Sequence, residues 1–279
     1  MTTLVAALVL ASAIVHASWN AMIKGKSGDP LAASTALSIA WAVLGVPLLF
    51  LVPPPPPDAW PMLGASIAVH VTYFALLNLA YREGDLSFVY TIVRGVPPLL
   101  VAVGAAAVVG ETPSALGAAG IALVAAGVLL LGGSSSTQPR QVVALALATA
   151  VCIASYTLLD GLGARAARDP VAYMIWLSAI QGALFAGGSL AMGRGRLARE
   201  VRARWKLGVL TAALSAGGYT VALWAMTRAP IALVAALRET AVLFAAVLGA
   251  FVLREPFGRR RIVAAVLVAA GTIAIRLGG

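Results

Sequence analysis

The stretch GETPSALGAAGIALVAAGVLLL spans residues 110–131, and a related stretch, REPFGRRRIVAAVLVAAGTIAI, spans residues 254–275. Each has a Glu at its second position and a Pro close behind it, followed by small and apolar residues around a glycine. Glu111 and Glu255 are 144 positions apart, as are Gly127 and Gly271. Two copies at one spacing indicate an internal duplication.

Further correspondences extend the duplication toward the start of each half. Asp29-Pro30 recurs as Asp169-Pro170, Tyr73 as Tyr219 and Arg94 as Arg238, at offsets of 140, 146 and 144. The order is kept, and the offset drifts only as short insertions and deletions allow. We therefore predict two repeats, residues 1–137 and residues 138–279.

The composition places both repeats in a membrane. The 279 residues are 61% apolar and 11% charged, with a mean hydropathy of +0.96, whereas soluble domains are roughly 45–50% apolar and about 25% charged. A membrane-spanning helix needs about 20 apolar residues, and the chain has ten such stretches. They are residues 3–22, 31–52, 61–81, 86–109, 114–132, 142–162, 170–192, 206–227, 231–253 and 261–275. We predict an all-α integral membrane protein with ten transmembrane helices.

Because each repeat holds five spans, an odd number, the second repeat must enter the membrane from the opposite side. Inverted repeats of this kind are typical of secondary transporters, whose substrate site lies near the bilayer midplane between the repeats. The sequence thus predicts alternating access at a central cavity.

A family resemblance agrees with this prediction. Gly110-Glu111-Thr112-Pro113 with its apolar run, and the echo Arg254-Glu255-Pro256 with its own, resemble the EamA-type branch of the drug/metabolite transporter superfamily. The match extends over nearly the whole chain. The resemblance implies a ten-helix carrier of small polar metabolites in the cell (inner) membrane. It also implies a cavity lined mainly by the first four helices of each half, with the fifth helix at the periphery.

Two arginines inside apolar spans are the main candidates for substrate binding. Arg94 and Arg238 are each the eighth or ninth residue of a span, roughly 12–13 Å from its start, in a hydrocarbon core about 30 Å thick. A charge at that depth costs on the order of 2.5–3.5 kcal/mol and normally faces a cavity or a partner. A guanidinium suits carboxylate, phosphate or phosphonate.

An alternative hypothesis gives each arginine a structural partner within the protein. Glu111 and Glu255 lie 17 residues beyond the arginines, about 25 Å along a helix, so they are interpreted as helix-start charges. Glu239 adjoins Arg238 but points about 100° away, which makes an intrahelical pair poor. The candidate partners are Asp160, Asn20, Tyr90 and Tyr219.

Polar and aromatic residues are predicted to complete the site. Two matched stripes lie on single helical faces, Ser12, His16 and Asn20 in the first span and Cys152, Tyr156 and Asp160 in the sixth. The candidate substrate contacts beside the arginines are His16, Trp19, Asn20, Tyr73, Tyr90, Tyr156 and Tyr219. Interhelical hydrogen bonding, which membrane helices use in packing, is the other interpretation of the stripes.

The candidates for proton coupling are Glu239 and Asp160, since a carboxyl group in an apolar cavity can exchange protons near neutrality. A kink is predicted at Pro97-Pro98, just after Arg94. Its counterpart, Ala241-Val242, has no proline, so the two halves are expected to differ there.

The positive charges predict an orientation. Connections after odd-numbered spans carry 14 positive residues, and the other connections carry four. The 14 are Lys24, Lys26, Arg82, Arg140, Arg194, Arg196, Arg199, Arg202, Arg204, Lys206, Arg254, Arg259, Arg260 and Arg261. The excess predicts both termini outside the cytoplasm, whereas the family resemblance implies both termini inside.

The remaining expectations concern partners. The sequence contains no HExxH, GxSxG or phosphate-cradling motif, and Cys152 is its single cysteine, so no enzyme activity, cofactor or metal is predicted. The basic residues lie in short connections, which argues against nucleic acid. We expect a small-molecule substrate, a lipid bilayer, a proton as candidate coupling ion, and a monomer or homodimer. The alternatives are a drug exporter of the same fold, a non-transporting flippase-type partner subunit and a membrane enzyme acting on lipid phosphate.

Overall fold

The computed structural model describes residues 1–24, 29–131, 138–244 and 259–278, without the side chains of residues 19–24, 86, 194 and 196. All regular elements in these ranges are helical, which confirms the all-α prediction for them. In chain order the helices are α1 (Thr3–Lys24), α2 (Pro30–Leu48), α3 (Trp60–Glu83), α4 (Leu86–Gly95), α5 (Pro97–Gly104), α6 (Ala115–Leu131), α7 (Arg140–Ala167), α8 (Pro170–Ala203), α9 (Trp205–Met226), α10 (Ile231–Arg238) and α11 (Arg259–Gly278). A 3₁₀ turn, Pro57–Ala59, precedes α3, and a π-helical turn, Ala105–Val109, follows α5.

Seven helical segments of the described chain are long and apolar enough to cross a membrane. They are Pro30–Leu48, Pro57–Glu83, Ser87–Val109, Arg140–Ala167, Pro170–Gly193, Trp205–Met226 and Arg259–Gly278. Two shorter apolar helices, Thr3–Ser18 and Ala115–Leu131, occupy the first and fifth predicted spans. Residues 245–253 of the ninth predicted span lie outside the described residues, so ten crossings stay a prediction.

The two Asp-Pro pairs of the predicted duplication start equivalent helices. The Asp29 carboxylate accepts a hydrogen bond from the Leu31 backbone N–H at 2.9 Å, and Pro30 is the first residue of α2. The Asp169 carboxylate accepts from Val171 N–H at 2.9 Å and Ala172 N–H at 3.0 Å ahead of α8. At the first position of a helix the backbone N–H has no partner within the helix, so proline, which lacks this group, fits there. The preceding carboxylate accepts hydrogen bonds from the N–H groups that follow.

Both arginine-bearing helices end close to the arginine. In the first half α4 ends at Gly95 and α5 begins at Pro97, which confirms the predicted break in the helix. In the second half α10 ends at Arg238 without any proline. After Arg238 the backbone hydrogen bonds connect residues that are three positions apart. Glu239 N–H donates to Ala236 O at 3.1 Å, and Thr240 N–H donates to Leu237 O at 3.2 Å. The halves therefore differ in how the helix is interrupted, and both are interrupted.

The main helix pairs join one predicted repeat to the other. Helix α1 packs on α9, α2 on α8, α3 on α7, and α6 on α11. In the last pair the backbones approach closely, since a Cβ added to Gly271 would lie 2.7 Å from the Gly120 carbonyl oxygen. Small residues allow such close approach between membrane helices.

Helix α10 lies in the centre of this arrangement. Its residues 231–237 are all buried, and its neighbours include α1, α5, α7 and α9. A helix buried on every side fixes the direction of the residue at its end, and that residue is Arg238.

Candidate functional site

A central cavity of about 120 Å³ lies where the interrupted helices meet. Helices from both predicted repeats line it, whereas α6 and α11 supply none of its described lining residues, as the family resemblance implies for the fifth helix of each half. Since one water requires roughly 10–15 Å³ of accessible space, the cavity has room for a small solute.

Most of the predicted site residues meet in this cavity. Its lining includes seven of them, Arg94, Arg238, His16, Tyr73, Tyr156, Tyr219 and Glu239. Tyr90 lies beside it, with its ring centroid 5.8 Å from the Arg94 guanidinium carbon. The side chains of Trp19 and Asn20 lie outside the described residues. Residues that are far apart in sequence thus lie around one cavity.

Besides the Tyr90 ring, Arg94 has two polar partners among the described residues. Its Nη2 donates to His16 Nε2 at 2.7 Å, so that ring nitrogen carries no proton in this arrangement. Its Nη1 lies 3.8 Å from Glu239 Oε1. This distance describes an ion pair across helices without a close hydrogen bond. The arginine therefore faces the cavity with part of its charge already compensated.

Arg238 has an aromatic partner instead. Its guanidinium carbon lies 4.7 Å from the centroid of the Tyr219 ring, within the range of a cation–π interaction. Within the described chain it forms no ion pair or hydrogen bond. A ring beneath the guanidinium plane leaves the in-plane N–H donors available, and those donors belong to a side chain that lines the cavity.

Glu239 turns away from its neighbour Arg238 and toward Arg94. The poor geometry predicted for an adjacent Arg238–Glu239 pair is confirmed, because their charged groups form no ion pair in the described chain. Its second oxygen, Oε2, is buried and has no hydrogen-bond donor among the described residues. The carboxylate is thus a charged acceptor at the cavity wall with unused capacity.

Asp160, the other proton-coupling candidate, lies behind the cavity wall. It is fully buried and accepts hydrogen bonds from Ser66 Oγ at 2.5 Å, Tyr173 OH at 3.1 Å and Tyr219 OH at 2.6 Å. His70 Nε2 is 3.9 Å away. Because Tyr219 also lies under Arg238, Asp160 positions the ring that supports that arginine.

The sequence did not single out several residues that line the cavity. They are Trp41, His70, Phe74, Ser178, Gln181 and Ser215. A signal existed for His70, which follows Ser66 by four residues and so shares a helical face with it. The His70 ring stacks on Tyr156 with centroids 3.9 Å apart. The others are single polar or aromatic residues in apolar spans, a pattern that does not distinguish cavity from packing.

A second charged cluster holds one end of the molecule, where α7 and α9 end and α10 begins. Arg165 Nη1 lies 2.6 Å from Glu111 Oε1, and Glu111 Oε2 accepts from Ile231 N–H at 2.9 Å. Arg165 also donates to the carbonyl oxygens of Met226 at 2.8 Å and Ala229 at 3.1 Å. Glu111 is thus a helix-start charge, but for α10 and not for the helix that follows it in sequence. Glu255 lies outside the described residues.

Comparisons with known proteins agree with this architecture. Residues 140–277 match the model of the EamA-like transporter family. The multidrug resistance protein EbrB of Bacillus atrophaeus is 36% identical over 84 residues, which are 30% of this chain and 71% of that protein. A crystal structure with 18% sequence identity superposes with a TM-score of 0.71, covering 99% of this chain and 96% of its own. That structural likeness concerns the fold alone.

Proposed function

Because the chain belongs to the EamA-like transporter family of the drug/metabolite transporter superfamily, we propose that it is a secondary transporter for a small anionic or zwitterionic metabolite. The substrate would be of the amino-acid, carboxylate or phosphonate type and would bind in the central cavity. Members of the family are multi-pass membrane transporters. We propose the cell (inner) membrane as the site of this one.

One observation carries the proposal: two guanidinium groups line a single buried cavity, and one of them, Arg238, has no ionic partner in the described chain. Desolvated charges at membrane depth face a partner or a pathway. A carboxylate or phosphonate between the two arginines would relieve their mutual repulsion and occupy the free N–H donors of Arg238.

We further propose that the cavity lies at the interface of two inverted repeats, residues 1–137 and 138–279. The helix pairs support this, since exchanging the first and second five spans converts the pair α1–α9 into α7–α3 and leaves α2–α8 and α6–α11 unchanged. The match to the family model, residues 140–277, covers nearly all of the second repeat. In alternating access, the two halves would exchange conformations, so that the cavity opens first to one side of the membrane and then to the other.

The energy source proposed is a gradient of the solute or of protons. Glu239 is the better coupling candidate, because it lines the cavity, whereas Asp160 is occupied by three hydroxyl donors behind the wall. A carboxylate that lines the cavity and pairs with an arginine can release that arginine when it binds a proton.

Transport by purified protein in liposomes tests the proposal. Uptake or exchange of labelled carboxylate, amino-acid and phosphonate solutes should be measurable with the wild-type chain and absent with Arg238→Ala, whose detergent-solubilised form should remain folded. Arg94→Ala should also abolish it. Glu83→Gln, at an exposed surface position, is the control. Wild-type transport by both arginine variants would refute an anion site.

The export of hydrophobic cations is a second candidate, favoured by the similarity to EbrB and by the aromatic walls at Trp41, Tyr73 and Tyr156. Two arginines against one lining carboxylate disfavour a cationic ligand. Efflux of tetraphenylphosphonium that needs Glu239 and is insensitive to Arg238→Ala would support this candidate over the first.

A further inference from the structure

Three charged side chains line the cavity among the described residues, Arg94, Arg238 and Glu239. Together they carry a net charge of one positive. Asp160 stands apart from this set, since it does not line the cavity and its oxygens accept three hydroxyl hydrogen bonds. The charge of an arginine is available to a solute only where no protein group already compensates it.

The two arginines are not equivalent, although the duplication relates them. Arg94 has a carboxylate 3.8 Å away and an imidazole acceptor at 2.7 Å. Among the described residues, the partner of Arg238 is the Tyr219 ring at 4.7 Å. The difference in carboxylate partners follows from one residue, because the position equivalent to Glu239 in the first half is Gly95.

Gly95 is packed against the Leu129 side chain. A Cβ added there would lie 2.7 Å from Leu129 Cγ and 2.8 Å from Leu129 Cδ2, so a larger residue would require Leu129 to move. The first half thus contributes a cation next to a closely packed glycine, and the second contributes both a cation and an anion. Among the described residues, one carboxylate, that of Glu239, lines the cavity with the two arginines.

We propose that Glu239 limits the bound solute to one negative charge, which Arg238 receives, and so determines the charge specificity of the site; this rests on the proposed function. Glu239 compensates part of the charge of Arg94 in place, and its carboxylate, whose buried Oε2 has no hydrogen-bond donor among the described residues, adds negative charge at the cavity wall. A second anionic group on the solute meets that carboxylate, and like charges brought together in a desolvated site repel strongly. The site accepts a monoanion and rejects a dianion.

Butyrate and succinate test this, since both have four carbons and differ by one carboxylate. Each is titrated at pH 8 and matched ionic strength against the detergent-solubilised full chain, and the stabilisation of the fold gives an apparent Kd. Wild-type protein and Glu83→Gln should prefer butyrate. Glu239→Gln, whose lining charge is two positive, should shift the ratio of the two Kd values toward succinate by on the order of tenfold.

A double variant separates charge from shape. Arg94→Ala/Glu239→Gln restores a net charge of one positive, so its preference should return to butyrate, whereas Arg238→Ala should bind neither acid. If binding depends on Arg238 but Glu239→Gln keeps the wild-type ratio, the charge limit is wrong and the anion site stands. If neither acid stabilises any variant and Arg238→Ala transports normally, the proposed function fails together with the charge limit.

Discussion

Glu239 directly follows α10 and Arg94 lies near the end of α4, and each charge lowers the free-energy cost of burying the other. Both are largely buried, with side-chain exposures of 10% and 16%. Removal of one member of a buried pair leaves an uncompensated charge, which destabilises a protein more than removal of both members. The pair should therefore show energetic coupling.

Thermal unfolding of detergent-solubilised variants measures this coupling. Arg94→Ala should lower the melting temperature, because the Glu239 carboxylate loses its cation. Arg94→Ala/Glu239→Gln should melt higher than Arg94→Ala alone, with a coupling free energy of about 0.5–3 kcal/mol. Purely additive shifts would contradict a direct interaction between the two side chains.

The sequence drew attention to Arg94 and Arg238, which line the cavity, because a guanidinium inside an apolar span is rare enough to be informative by itself; their role in substrate binding stays a prediction. The partner of Arg94 was not predicted. The sequence shows Glu239 next to Arg238, whereas its contact with Arg94 exists because two helix ends meet in space. Trp41 and Gln181 were not predicted as cavity residues for a related reason. A single polar or aromatic residue in an apolar span does not show whether its side of the helix faces the cavity or a neighbouring helix.

At the scale of helices, the glycines of the two long motifs serve packing. A Cβ on Gly271 would lie 2.7 Å from the Gly120 carbonyl oxygen, and a Cβ on Gly127 would lie 2.8 Å from Val268 Cγ2. The stretches that indicated the duplication are therefore the ones that bring α6 and α11 together, at a distance from the cavity. Their repetition reflects a shared packing demand.

Gly271→Leu should separate these two helices. Overpacking of a close contact costs about 1–3 kcal/mol, and more where backbone atoms are in the way, so we expect a lower melting temperature and poor recovery of folded protein. Gly187→Leu is the matched control, because nothing lies within 4 Å of a Cβ at that exposed position in α8. Equal behaviour of the two variants would argue against close α6–α11 packing.

Helix starts and one of the two helix breaks followed from local chemistry. Asp29, Asp169 and the Pro97-Pro98 pair act through covalent geometry and neighbouring N–H groups, which the sequence displays directly. The break after Arg238 could not be predicted in this way. Thr240 follows the break and its hydroxyl donates to Leu237 O at 2.7 Å, but threonines inside unbroken helices of this chain form bonds of the same kind.

At the scale of the whole molecule, the Arg165 cluster joins the predicted repeats at one end. Glu111 of the first half accepts from the start of α10 and pairs with Arg165 of the second half. Hydrogen bonds to charged groups are each worth about 1.5–3 kcal/mol. An opening of the cavity toward this end would have to break them, so the cluster should hold this end closed.

Cysteine labelling can test that function. In a Cys152→Ser background, Met174→Cys places a thiol on the cavity wall near the Arg165 end, where α8 begins. Arg165→Ala should increase its rate of reaction with a maleimide in detergent several-fold. Arg228→Ala at the same end is the control, since Arg228 lies over Trp224 at 4.8 Å outside the cluster. An unchanged rate in Arg165→Ala would show that other contacts keep this end closed.

The orientation in the membrane is predicted only from the number of positive residues on each side. The 14 positive residues on one side and four on the other stay a prediction of which face meets the cytoplasm. The two arginines line the same cavity, which is what the predicted inverted repeat leads one to expect, because inversion brings equivalent residues to similar depth.

The pairing of α1 with α9, α2 with α8, α3 with α7 and α6 with α11 has a consequence for how the protein is made. A ribosome delivers residues in order, so the early helices leave the insertion machinery before their main neighbours have been synthesised. They must wait in contact with lipid until the later helices arrive. Assembly of this chain is therefore a late event that completes only near the end of translation, and a nascent chain stalled halfway would offer quality-control proteases a set of helices without their mates.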